Sequence, residues 1–147
     1  MTTAPLLKLL AEDADDLAVI SAALQDAVIK IGDIRYETGT RQLTIACNRF
    51  RWEGEGESGG ERVRAAIQLG GVARLQARGL RRNAPEAVVS LLAITFEPTA
   101  DKGDPGGTVL FQFAGDADLR AEVECMDAAM ADLSGPWPTP RCPGHEA

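Results

Sequence analysis

Arginines recur two residues apart through the middle of this chain: Arg49 and Arg51, Arg62 and Arg64, then Arg74 with Arg78 two steps further on. Alternate residues of a strand share a face, so three neighbouring strands would set up to six guanidinium groups side by side. A guanidinium is a planar fork of donors matched to carboxylate and phosphate oxygens. The chemistry implied is recognition of an anion, and Arg49, Arg51, Arg62, Arg64, Arg74 and Arg78 are the candidate binding residues. The competing expectation is a solvated strand face, its arginines paired across strands with acids such as Glu37, Glu53, Glu61, Glu122 or Glu124.

The charge distribution favours attention to these residues. The 147-residue chain has a net charge of −7, yet residues 35–82 hold ten basic side chains, all arginine, against five acidic ones. Residues 83–147 reverse this, with eleven acidic and three basic. A basic middle between acidic ends suits an acidic protein partner or a second copy of the chain. Nucleic acid is disfavoured, because affinity for it comes largely from neutralising phosphates.

Catalysis needs an acid–base or nucleophile constellation, and none stands out. The single histidine, His145, sits in a Pro-rich tail. Cys47 lies among apolar neighbours, as an inert buried thiol does. Cys125 would gain from the start of a last helix, but Glu122, Glu124 and Asp127 oppose a thiolate. Asp116 and Asp118 read as turn residues rather than cation ligands, and the acids of Glu12-Asp13-Ala14-Asp15-Asp16 as a helix cap and first turn. With no cofactor motif and no metal-ligand spacing, the expectation is a non-enzymatic protein-interaction module. The alternatives are a small phosphorylated-ligand (anion) binding module and a cryptic enzyme.

The elements that would position the arginines follow from periodicity. Leu17, Ile20, Leu24, Ala27 and Val28 step by three and four, predicting a helix over about 14–26. From Ala27 the period falls to two, and Thr38-Gly39-Thr40 before Leu43, Ile45 and Cys47 predicts a hairpin. Phe50 and Trp52 break the parity of that second strand, which implies a bulge near Cys47-Asn48 or a crossing between layers. Gly54 to Gly60 is an acidic loop. Strands at 62–69 and 72–78 flank Gly70-Gly71, read as a turn between paired strands, and Gly79 to Pro85 is a basic connector. Ala87 to Phe96, rich in Val, Ile and Thr, predicts a strand covered on both faces. Strands at 108–113 and 119–123 follow, and Met126, Ala129, Met130 and Leu133 form a short helical stripe stopped by Gly135-Pro136.

The fold expected is therefore α+β: an N-terminal helix, about seven antiparallel strands in a meander bent into a roll or two layers, and a C-terminal helix. Residues 1–137 form one domain and 138–147 a tail. The element order over residues 28–133 resembles the pleckstrin-homology-like roll, an analogy that carries no function; the second choice is a curved sheet with helices on one face. The strings Leu24-Gln25-Asp26-Ala27-Val28, Asn48-Arg49-Phe50-Arg51-Trp52-Glu53 and Ala121-Glu122-Val123-Glu124-Cys125-Met126 resemble a small proteobacterial family catalogued as domain of unknown function 2948. That resemblance covers nearly the whole chain, implies a compact single-domain cytoplasmic protein, and brings no catalytic residues. No run approaches the roughly 18 apolar residues of a membrane span, and Met1 to Lys8 lack the pattern of a signal peptide. With three cysteines and no close pair, reduced thiols and a cytoplasmic location are expected.

Overall fold

Two long bent strands organise the structure, a computed structural model that describes residues 7–50 and 61–133, with the backbone of 137 and 138. The first is β5 (Glu61–Leu69) running into β6 (Val72–Arg78) through Gly70-Gly71, where Gly71 adopts φ +65. The second is β9 (Ala117–Val123) running into β10 (Ala128–Asp132). They lie antiparallel, β5 on β10 from Ala65↔Asp132 to Leu69↔Ala128 and β6 on β9 from Val72↔Val123 to Arg78↔Asp118. Both bend at one corner, where Gly70 N–H donates to Asp127 O and Glu124 N–H to Gly71 O, each at 3.0 Å. Gly70-Gly71 is thus a corner, not the expected turn between paired strands, since β5 and β6 do not pair with each other.

The remaining strands complete a ring. β4 (Gln42–Phe50) pairs β5, β2 (Val28–Lys30) pairs both β4 and β7 (Val88–Pro98), and β8 (Gly107–Phe113) joins β7 to β9. Because β6 continues β5 and β10 continues β9, the path closes on itself as a small antiparallel barrel. Three short strands attach outside the ring: β1 (Lys8–Ala11) on β10, β3 (Ile34–Glu37) on β4, and β11 (Trp137–Pro138) on β5. Inward positions alternate along each strand, and Leu43, Ile45, Ile67, Leu69, Leu91, Ile94, Phe111 and Met130 form one continuous apolar core.

The helix α1 (Ala14–Ala23) packs against β1 and β7. Asp13 caps it, its Oδ1 accepting from Asp16 N–H at 2.8 Å, which satisfies an amide the helix itself leaves open. Leu17, Ile20 and Leu24 then enter the core. Ser21 Oγ accepts from Ile94 N–H at 2.9 Å, bonding the helix to the edge of β7 beyond β2.

The mainly antiparallel sheet with one α-helix overturns the α+β expectation of helices at both ends. The stripe Met126, Ala129, Met130, Leu133 fits a helix, but Ala128, Met130 and Asp132 also alternate inward at period two. Where a segment satisfies both periods, the available pairing decides, and β5 offers an open ladder. Cys125 accordingly sits in an exposed loop before β10 and gains no helix terminus. Without a C-terminal helix, the pleckstrin-homology-like analogy loses the element that closes such a roll. β7 is a strand as expected, but Val88 and Leu92 on it are 58% and 47% exposed, so it is covered on one face only. The register of β4 with β5 is unbroken from Leu43 to Phe50, so no bulge occurs at Cys47-Asn48. Arg51, Trp52, the loop 54–60, Gly135-Pro136 and the tail 139–147 with Cys142 and His145 lie outside the described residues.

Candidate functional site

The unbroken register of β4 decides where the arginines go. Arg49 has the parity of Leu43, Ile45 and Cys47, and therefore points inward, fully buried. It is tolerated there because Asp132, inward-facing on β10, meets it as a fork: Nε donates to Oδ1 at 2.8 Å and Nη2 to Oδ2 at 2.9 Å. Asp132 Oδ2 also accepts from Leu7 N–H at 2.8 Å, and Asp132 N–H donates to Leu7 O. A buried ion pair persists when its remaining donors and acceptors are satisfied in this way. It links the chain entering β1 to one end of the core.

Arg62 and Arg64 lie on the opposite, outer face of β5. Arg62 is buried at 2% exposure and donates to Asn48 O at 3.3 Å. Arg64, half exposed, donates to Asn48 Oδ1 and to Asp33 Oδ2 at 3.1 Å. Arg74 and Arg78 sit on β6, which pairs β9 rather than β5, and they face outward opposite Glu122 and Asp118. Arg74 Nε approaches Glu122 at 3.9 Å; Arg78 donates to Asp118 at 2.7 Å and lies 3.6 Å from Asp116. The bond to Asp118 raises the Arg78 pKa further above its ordinary value. The structure thus brings Arg62 together with Arg64, and Arg74 with Arg78, and separates both pairs from Arg49. Asp116 of the β8–β9 turn and Asp118, which is on β9 rather than in the turn, both face the Arg78 guanidinium.

Cys47, also inward, is free and buried, and its thiol is pushed up to about 12 by desolvation, against the opposing pull of Arg64 and Arg49. It is a packed, protonated thiol at neutral pH. Among the described residues no three of His, Cys, Asp and Glu converge as metal ligands, and no helix is long and apolar enough to cross a membrane.

One concave feature, a cleft lined mostly by apolar side chains, was not singled out by the sequence. It lies where the free edge of β6 faces β3 and the 3-10 turn Ile31–Asp33. Ile31, Ile34, Leu75, Ala77, Leu80, Leu119 and Arg82 line a cavity of about 130 Å³. At the start of β6 the same edge is engaged: the Tyr36 hydroxyl donates to Val72 O at 2.6 Å, and Val72 N–H donates to Arg41 O at 2.9 Å. The connector closes one side of the cleft. Gly79, at φ +76, turns the chain out of β6 beside Ala117, where a Cβ would meet backbone at 3.1 Å. Further along, Gly32 N–H donates to Pro85 O and Ile31 N–H to Ala87 O, each at 2.9 Å, which holds the turn against the connector. Arg81 and Arg82 are exposed there with no carboxylate within ion-pair distance among the described residues. The available sequence signal was Leu80, a lone large apolar residue in a basic connector, together with the half-buried alternation of Leu75 and Ala77.

The architecture and this cleft define a helix-plugged antiparallel barrel with an apolar notch at one strand edge. The chain belongs to the family described as Protein of unknown function (DUF2948), whose pattern matches residues 7–145. No curated protein and no solved structure matches it.

Proposed function

We propose that the chain is a cytoplasmic, non-enzymatic protein-interaction module, and that the cleft between β3 and β6 receives an apolar side chain on an acidic segment of a partner protein. The observation that carries this reading is the cleft itself: six apolar side chains around about 130 Å³, with Arg82 at its lip. Small-molecule sites commonly span roughly 300–1,000 Å³, so this volume fits one or two side chains better than a cofactor. The chemistry of the lip selects the partner. Arg41, Arg49, Arg64, Arg74 and Arg78 each face a carboxylate, whereas Arg81 and Arg82 are left to attract one. Aromatic or aliphatic anchors in a pocket with charged residues at the rim are the usual anatomy of a protein contact. The small phosphorylated ligand has less support, since Arg49, Arg62, Arg64, Arg74 and Arg78 divide between faces and are engaged. A cytoplasmic setting is supported by Cys47 and Cys125 both being free thiols.

The test is selection of peptides from a random display library on the full-length protein. Binders should pair an apolar residue with Asp or Glu, and Arg81→Glu/Arg82→Glu should weaken them about tenfold or more, equivalent to roughly 1.4 kcal/mol. Binders indifferent to that charge reversal sink the reading. Self-association abolished by the same substitutions would instead make a second copy the occupant.

A further inference from the structure

We infer that the partner segment enters as an added β-strand along the free edge of β6, main chain to main chain, with alternating apolar and acidic side chains. This rests on the cleft being the docking site and adds how the site is used.

The inference follows from which backbone groups of β6 are committed. Gly71 faces β9, its carbonyl accepting from Glu124 N–H. Val72 faces the other way, its N–H donating to Arg41 O and its carbonyl accepting from Tyr36 Oη. Between Val72 and Arg74 the register shifts by one residue, so that Val72 lies opposite Val123 but Arg74 opposite Glu122. In an antiparallel ladder successive residues turn their N–H and C=O alternately toward and away from the partner. Glu124 faces β6, so Glu122 and Arg120 do too, which commits Arg74 and Gln76 to β9 and turns Leu75 and Ala77 outward. Those two residues therefore present N–H and C=O to the cleft, and among the described residues β6 has no second neighbour. Their side chains line the same cavity. One stretch of strand thus offers a backbone template and an apolar floor together, which is what strand addition requires.

The alternation of the added strand is set by what lies on each side. Inward, it would stand beside Leu75 and Ala77 and reach Leu119, Ile34 and Leu80. Outward, it would stand beside Arg74, Gln76 and Arg78, the two arginines already facing Glu122 and Asp118, with exposed Arg120 across the ladder and Arg81 and Arg82 in the adjoining connector. Adjacent strands interact through such lateral pairs, so acids outward and apolar residues inward is the fitting pattern. The same features disfavour a second copy's β6: a bulge and flanking arginines guard the edge against like-charged strands.

The experiment uses isotope-labelled full-length protein and a short capped peptide alternating valine and aspartate. At saturation, amide exchange at Leu75 and Ala77 should slow about tenfold or more, while Gln76, bonded to β9 already, stays unchanged. N-methylation of the peptide should abolish binding at alternate positions only. A peptide that binds, is lost with Arg81→Glu/Arg82→Glu, and yet leaves the Leu75 and Ala77 amides unprotected overturns strand addition and leaves the cleft reading intact. A peptide that does not bind at all overturns both.

Discussion

Asp132→Ala should be among the most damaging single substitutions in this chain. The change deletes a carboxylate that receives two bonds from the fully buried Arg49 and one from Leu7 N–H. Removing one member of a buried ion pair costs about 3–5 kcal/mol, because the buried guanidinium loses a counter-ion that water cannot replace, and the Leu7 amide adds about 1 kcal/mol. Domains have roughly 5–15 kcal/mol in total, so the loss is a large share of the whole. At roughly 2–4 °C per kcal/mol, the melting temperature should fall by about 8–24 °C. Urea unfolding, with the m-value checked for constancy, gives the free energy directly. Two companions separate the contributions. Asp132→Asn keeps an acceptor for Leu7 N–H, and Arg49→Met with Asp132→Leu removes both charges and should recover most of the loss. The reasoning fails if Asp132→Ala lies within about 1 kcal/mol of the parent, or if the apolar pair is as unstable as the single variant.

Other consequences are simpler to state. With its thiol pushed up to about 12 by burial, Cys47 should resist iodoacetamide in the native protein at pH 8 while exposed Cys125 reacts, as mass spectrometry of the digested protein would show. The neutral thiol is favoured by folding, so its contribution is complete below the unfolded value near 9 and is lost as pH rises toward 12; Cys47→Ala should flatten that alkaline decline in stability. Gly107→Ala places a methyl against Glu97 O and 2.8 Å from the Phe96 ring, and should cost about 1–3 kcal/mol in urea unfolding through overpacking. Asp13→Ala removes the α1 cap and should cost about 1 kcal/mol by the same measurement.

Local signals in the sequence were read where local chemistry is sufficient. The cap at Asp13, the hairpin after Glu37, the turn Ala114 to Ala117 and the strand identity of β7 depend on a few adjacent residues. Arg49 shares the inward parity of Leu43, Ile45 and Cys47, but a guanidinium is tolerated there only with Asp132, 83 residues away, and no periodicity within β4 announces a partner that distant. The segment from Met126 to Leu133 reads as helix because its apolar positions satisfy two periods, and the open ladder of β5 makes Ala128 to Asp132 a strand. Gly70-Gly71 carries the signature of a tight turn, and a corner between two halves of a long strand needs the same backbone freedom. The cleft was invisible for a related reason. It is bounded by edges that never pair, and a missing pairing leaves no pattern in the chain.

The corner shared by β5–β6 and β9–β10 also fixes when the protein becomes whole. During synthesis the strand from Glu61 to Arg78 emerges first, and β6 finds its neighbour only after Ala117 to Val123 have followed. At about 5–20 residues per second, the ribosome leaves that arm without its mate for on the order of several seconds. The Val- and Leu-rich β7 emerges within that interval. A stop codon before Ala117 makes the interval permanent, and one between Val123 and Asp132 still withholds the β10 ladder on β5 and the carboxylate that meets Arg49. Chains truncated before Asp132 are thus expected to be cleared by proteolysis rather than to persist as smaller folded forms.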